Sequence, residues 1–267
     1  MRPPESASPP APGWRIAVAA LSLALTACGG GVARAPAGPA PDVIDTPAEV
    51  IQQVARAHLD APATAVFTQV NTVTLSSGSV TQRQRVIVSA PGAMRVDQHP
   101  LTSRSGVTYV GRRAIGFANG RRNSAFDAID PIRLLGFDIY LQSADSSLAA
   151  LEALGIPLAV MHQATYEGMP VWVIGAASGD TTSNQVWIDA TRWIPLRHID
   201  ARSRAGRTMV SDTRFSGHAD PTPTVPRVIE VHREGRRVFR GEVQELRTGI
   251  PVPATAFDTV TFRVVEM

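Results

Sequence analysis

The chain has 267 residues, of which 44% are hydrophobic and 18% are charged. This length and apolar content are enough for a buried core in one large β domain or two small ones. The formal net charge is only +3, and all 26 basic residues are arginines spread along the chain. A balanced charge of this kind argues against the clustered basic face that binds nucleic acid, so no nucleic-acid partner is predicted.

Residues 1–27 have the organisation of an export signal. Arg2 and Arg15 precede an apolar run over 16–25, and small residues follow it. This order is typical of a secretory signal peptide. The run is shorter than the roughly 20 apolar residues that a membrane-spanning helix needs. We therefore predict that 1–27 is a signal peptide rather than a transmembrane segment.

Cys28 is the only cysteine of the chain, and it follows Leu25-Thr26-Ala27. These four residues resemble the lipobox of bacterial lipoproteins, in which the cysteine is acylated, for example with palmitate, and becomes the first mature residue. No aspartate follows Cys28, so the resemblance implies a lipid anchor in the outer membrane of a Gram-negative bacterium, facing the periplasm. The alternative is an ordinary secreted protein with a stray thiol, which is a liability in an oxidising compartment.

After Cys28 the sequence is rich in Gly, Ala and Pro as far as residue 44. Such a composition buries little apolar surface, and its prolines keep it extended. We predict that residues 28–45 are a lipidated tether and that 46–267 form the folded domain.

The folded domain begins with a helix signal. Thr46, Pro47 and Glu49 match a capping box with proline in the first turn, and apolar residues recur at helical spacing up to Asp60. From residue 64 the apolar period changes to two. Turn signals at Ser77-Gly78, Pro91-Gly92 and Asn119-Gly120 separate the resulting strands.

The alternation is interrupted in the middle of the chain. A short helix is predicted near Pro131–Gly136, and a second helix capped by Asp145 ends at Gly155. Strands resume at residue 158 and continue to a last predicted strand over 259–265.

These elements predict a mainly β fold with an N-terminal amphipathic helix and short capping helices. The connections between strands are too short for parallel crossovers, so the strands form an antiparallel meander. A sheet of roughly 10–12 strands curls or closes instead of staying flat, which predicts one large curved antiparallel sheet.

The organisation of residues 46–265 resembles the periplasmic lipoprotein-carrier superfamily, the LolA and LolB proteins. The similarity rests on the order of several segments: the helix before Val66-Phe67, the stretch Pro91-Gly92-Ala93-Met94-Arg95-Val96, the helical break near 131–154, the segments Gln185–Asp189 and Trp193–Arg197, and Ile250–Phe257. The resemblance implies an unclosed β-barrel, or half-barrel, with helices capping a hydrophobic cavity that accepts acyl chains. The lipobox makes this chain more like the anchored members than like the soluble carrier.

A cavity for an acyl chain needs apolar side chains on one face of the strands. The candidate ligand-binding residues are Phe67, Val86, Val88, Met94, Val96, Tyr109, Phe117, Trp172 and Trp187. The alternative for each is that it fills a solid core.

No catalytic motif or metal-ligand spacing is found in the sequence, so no enzyme, cofactor or metal site is predicted. A hydrolase using Asp127 or Asp130 with a bound metal is kept as a minor hypothesis. The predicted function is a cell-envelope lipoprotein that binds a hydrophobic ligand, an acyl chain or a lipoprotein, without covalent chemistry. A role in lipid or lipoprotein trafficking is the accompanying hypothesis. The alternative is a periplasmic protein-interaction or envelope-stress regulatory module, similar to the RseB-type regulators, with an envelope protein as its partner.

Overall fold

The computed structural model describes residues 44–204, 207–219 and 224–267. The predicted signal peptide, Cys28 and the tether up to residue 43 lie outside the described residues. Three α-helices are present in the described part: α1 (Pro47–Ala57), α2 (Pro131–Gly136) and α3 (Ala144–Ala153). No helix among these residues is long and apolar enough to cross a membrane.

The first helix begins as the sequence predicts. The Thr46 hydroxyl accepts a hydrogen bond from the Glu49 N–H at 3.2 Å, and the Glu49 carboxylate accepts the Thr46 N–H at 2.8 Å. This capping box satisfies backbone groups that the first turn leaves without helical partners. The helix ends at Ala57 rather than at Asp60, and it buries Val50, Ile51 and Val54.

Among the described residues, thirteen strands, against the 10–12 predicted, form one antiparallel sheet that is not closed, which confirms the predicted half-barrel. The first six strands are β1 (Thr64–Leu75), β2 (Gly78–Ser89), β3 (Ala93–Gln98), β4 (Gly106–Val110), β5 (Arg113–Ala118) and β6 (Arg121–Asp127). The remaining strands are β7 (Met161–Tyr166), β8 (Met169–Ile174), β9 (Gln185–Asp189), β10 (Pro195–Arg204), β11 (Arg207–Ser216), β12 (Val228–Arg233) and β13 (Arg236–Thr248).

The sheet consists of two meanders that meet in its centre. Its order is β6-β5-β4-β3-β2-β1-β13-β12-β11-β10-β9-β8-β7, so the first and last strands are neighbours. The helices α2 and α3 lie in the connection between β6 and β7, which are the two edges of the sheet.

The structure completes one local prediction and corrects two. The hairpin predicted at Asn119-Gly120 is present, and its second strand, 121–127, pairs with β5 as an exposed edge. The segment 259–265, predicted as a strand, is irregular. Ser143 rather than Asp145 caps α3, because its side chain accepts the Ser146 N–H at 3.2 Å.

The sheet packs on both faces. We define the inner face as the side of the sheet that carries Phe67, Val88 and Met94. This side packs against the helical connection. We define the outer face as the side that carries Ile87 and Arg95. This side packs against the C-terminal segment 250–267. Both faces are therefore covered over part of the sheet, by different parts of the chain.

Candidate ligand-binding face

Six of the nine candidate residues lie together on the inner face of β1 to β4. Two rows of directly opposed residues cross these strands: Phe67, Val86 and Val96 form one row, and Val88, Met94 and Tyr109 form the other. Four of the six are buried, while Val96 and Tyr109 are partly buried against the same cluster. We call these six residues the inner apolar patch. A contiguous apolar surface of this kind is what an acyl chain contacts.

The inner apolar patch is covered by the chain itself. The covering segment, residues 131–141, comprises α2 and the 3-10 turn Asp138–Tyr140 that follows it. Its Phe137 ring stacks on Phe67 with 6.1 Å between ring centroids, and Leu141 packs beside it. The space left between Phe137, Val88 and Val225 is a cavity of about 10 Å³, which is about the smallest space that holds one water molecule. The patch is thus filled by the protein's own side chains in this structure.

A buried arginine connects the covering segment to two strand turns through hydrogen bonds. Arg133 is 5% exposed, and its guanidinium donates to the carbonyl oxygens of Gly92 and Gly111. These glycines lie in the β2–β3 and β4–β5 turns. Arg133 Nε also lies 3.0 Å from Asp138 Oδ2, but that contact lacks hydrogen-bond alignment.

Two carboxylates hold the same segment. Asp130 accepts the Arg133 N–H at 2.8 Å and caps α2, and Asp138 accepts the Gly92 N–H at 2.9 Å. Burial raises the pKa of both carboxyl groups, against the opposing effect of the nearby arginine. Burial and the charge of Asp130 also raise the pKa of Tyr109.

The two carboxylates of the hydrolase hypothesis, Asp127 and Asp130, do not form a metal site in the described part of the chain. Asp127 is exposed on the edge strand β6, and Asp130 is a helix cap. Over the described residues, no group of three or more His, Cys, Asp or Glu side chains is placed to hold a metal ion. The visible role of Asp130 and Asp138 is to position the covering segment.

The other three candidates lie apart from the inner apolar patch. Trp172 is buried in the core that the helices form with β8 to β12. Phe117 lies on the outer face, where it stacks on Phe262 with 4.9 Å between centroids. Trp187 packs against Tyr166, and the Arg197 guanidinium lies 4.7 Å from its ring centroid.

Amide side chains on the inner face were missed by sequence reasoning. Gln69 and Asn71 follow Phe67 at alternate positions of β1, and both are buried. Asn71 Nδ2 donates to Gln84 Oε1 at 2.8 Å, while Asn71 Oδ1 is buried without a partner in the described part of the chain. Gly241 makes room for them, since a Cβ there would lie 2.1 Å from Gln69 Nε2. Their period-two spacing after Phe67 was the available signal.

Comparison with solved structures identifies the architecture. A LolA superfamily protein from Nitrosomonas europaea superposes with a TM-score of 0.51 at 11% identity, covering 80% of this chain and 98% of that one. A protein described as an outer membrane lipoprotein-sorting domain, from Vibrio parahaemolyticus, gives a TM-score of 0.54 at 11% identity, covering 79% and 95%. The chain has a LolA-like fold.

The LolA-like fold confirms the resemblance drawn from the order of the sequence segments. No protein-family model and no curated protein matches the chain. At 11% identity the structural likeness establishes the architecture alone. The identity of a ligand therefore depends on the residues of this chain.

Proposed function

We propose that this chain is a lipid-anchored protein of the cell envelope that binds a hydrophobic ligand without covalent chemistry. The ligand would be an acyl chain or the acylated end of a lipoprotein. The single observation that carries the proposal is the inner apolar patch beneath a short covering segment. Burial of an acyl chain there would contribute about 0.8 kcal/mol per methylene group.

Binding on this face requires the covering segment to move. The cavity beside Phe137 is only about 10 Å³, whereas a ligand of drug size occupies a site of about 300–1,000 Å³. Phe137 rests on Phe67 through apolar contact, which a ligand chain can replace with equivalent contact. The proposed mechanism is therefore an exchange of Phe137 for ligand on the inner apolar patch.

Two phenylalanines provide a matched test. Phe137→Ala removes the ring that covers the patch, and Phe117→Ala removes a buried ring from the outer face. We expect Phe137→Ala to bind a fluorescent fatty acid about tenfold more tightly than the unmodified chain, since an apolar space left open takes up apolar ligands. Phe117→Ala should leave the affinity unchanged. Equal effects of both changes, or no saturable binding by any of the three proteins, would contradict the proposal.

The lipid anchor is a second part of the proposal. Acylation of Cys28 would hold the domain at the outer membrane, facing the periplasm, with residues 29–44 as a spacer. Labelling of cells with radioactive palmitate tests it: the unmodified protein should incorporate label and Cys28→Ala should not. Label in the Cys28→Ala protein would disprove the anchor without affecting the ligand hypothesis.

A protein-interaction or envelope-stress regulatory role is the second candidate. The observation that favours it is the edge strand β6, which is exposed along its whole length, with Phe126 56% exposed. An unpaired strand edge can accept an extended segment of another protein. Periplasmic crosslinking through residue 126, with capture of a defined envelope protein and no extracted lipid, would favour this role over lipid binding.

A further inference from the structure

A second cavity lies at the opposite end of the strands from the covering segment. It has a volume of about 690 Å³ and is lined by residues of the β10–β11 and β12–β13 hairpins. Arg202, Arg233 and Arg236 line it, together with Asp200, Glu234 and several smaller or apolar side chains. The cavity is thus large enough for an organic ligand and bears positive charge at its wall.

Two of these arginines face each other directly. Arg233 of β12 and Arg236 of β13 are cross-strand partners on either side of the Glu234-Gly235 turn. Like charges in directly opposed positions destabilise a strand pair. Asp200 compensates Arg202 at 2.7 Å, but within the described residues neither Arg233 nor Arg236 forms an ion pair. A bound anion between the two guanidinium groups would remove this repulsion.

Apolar side chains adjoin the arginine pair. Met209 is 50% exposed, and Val238 lines the cavity beside it. In the next row of the sheet Val231 lies opposite Phe239, and both are only partly buried. Arg233 lies opposite Ser211, and Val231 opposite Thr213, so the arginine and the apolar row share the inner face. A ligand here meets a cationic site and an apolar surface side by side.

We propose that this cavity binds the phosphate group of an anionic phospholipid, with Arg233 and Arg236 donating to the phosphate oxygens. Arginine suits this role because its planar group forms paired hydrogen bonds with phosphate. The acyl chains would lie over Met209, Val231 and Phe239. Free phosphate would leave most of the volume and all of the apolar wall unused. The inference rests on the proposed function, because it specifies the class of the hydrophobic ligand.

The test is calorimetric titration of the full chain with short-chain lipids below their micelle concentration. Both lipids carry a phosphodiester, and they differ in the choline cation that makes dihexanoylphosphatidylcholine neutral. We expect dihexanoylphosphatidylglycerol to bind at least about tenfold more tightly than dihexanoylphosphatidylcholine, because Arg233 and Arg236 repel the choline cation. The double change Arg233→Gln, Arg236→Gln should abolish that preference. The control is Arg112→Gln, Arg113→Gln, which removes the same charge from an exposed turn next to the covering segment at the other end of the strands and should keep the preference.

The outcomes separate the two hypotheses. Equal binding of both lipids would overturn the assignment to an anionic phospholipid and leave hydrophobic ligand binding standing, whereas binding of neither lipid would overturn both. Inorganic phosphate that binds as tightly as dihexanoylphosphatidylglycerol would overturn the assignment to a lipid. Loss of the preference in the Arg112→Gln, Arg113→Gln control would also overturn it, because the effect would then be one of net charge.

Discussion

Each face of the sheet is covered by a segment that a buried arginine holds through hydrogen bonds. The contacts of the two arginines differ. On the outer face Arg95 is 1% exposed. It bonds to Asp97 at 2.7 Å and to the carbonyl oxygens of Ala256 and Arg263 in the C-terminal segment. Its guanidinium also lies 3.8 Å from the centroid of Phe262. This arginine is enclosed and its hydrogen bonds are well formed.

On the inner face the corresponding contacts are less complete. The ion pair of Arg133 with Asp138 is misaligned, and the Tyr140 hydroxyl of the covering segment is buried without a partner in the described residues. A buried polar group without a hydrogen bond costs about 1–3 kcal/mol. The polar contacts of the inner cover are thus less complete than those of the outer cover. Leu134, Leu135 and Ile139 nevertheless anchor residues 131–141 in the main core, so under the proposed function ligand exchange begins with displacement of Phe137.

The largest expected effect tests the outer cover. Arg95→Met removes four interactions and weakens the compensation of the buried Asp97, which Arg85 alone would then neutralise. We expect the free energy of unfolding in urea to fall by about 3–5 kcal/mol, as when a buried ion pair is broken. The affinity for a fluorescent fatty acid should not change. The exposed Arg112→Met is the control, expected within about 0.5 kcal/mol of the unmodified protein. A loss below about 1 kcal/mol for Arg95→Met would show that the outer cover is not fastened by this residue.

The second effect concerns pH and a histidine of the inner face. Burial lowers the pKa of His198 to about 4, and its Nε2 has no partner in the described residues. An unfolded histidine has a pKa near 6.5, so the contribution to stability is complete above that pH and is lost as the pH falls toward 4. The full loss is about 3 kcal/mol. Asp130 and Asp138 oppose it, because their raised pKa values favour the folded state at low pH.

A His198→Gln variant isolates the histidine contribution. The difference in unfolding free energy between pH 7 and pH 4 should be smaller in the variant by about 3 kcal/mol. Parallel pH profiles of the two proteins would mean that the imidazole is accessible to water, and the inner face would then be more open than this structure indicates.

The third effect tests the inner cover. Arg133→Met frees the covering segment from the Gly92 and Gly111 carbonyls while keeping an apolar side chain of similar length. We expect a loss of about 2 kcal/mol in unfolding free energy. In contrast to Arg95→Met, the affinity for the fluorescent fatty acid should rise, because the cover is easier to displace. Unchanged or weaker binding would contradict the assignment of residues 131–141 as the displaceable part.

Period-two alternation predicted the large antiparallel sheet and grouped six residues that lie on its inner face, whereas the unclosed barrel was implied by the resemblance to the carrier superfamily. Neither signal placed the two covers, since these depend on contacts far apart in sequence. Arg95 belongs to the stretch that suggested the family, yet it packs against Phe262 on the outer face. Phe117 alternates like its neighbours, and only the pairing of β4 with β5 assigns it to the outer face. Period two separates the faces of one strand but does not say which face is inner.

The smallest expected loss of stability belongs to a variant that tests whether α1 moves with the covering segment. Thr46→Ala removes the hydroxyl that accepts the Glu49 N–H, and loss of such a cap costs about 1 kcal/mol. Thr46→Ser keeps the hydroxyl and should restore most of the stability. If α1 is a fixed part of the core, through its buried Val50, Ile51 and Val54, the fatty-acid affinity of Thr46→Ala will equal that of the unmodified chain. A rise in affinity like that expected for Arg133→Met would mean that both helices open together, and the displaceable cover would then extend across the whole inner face.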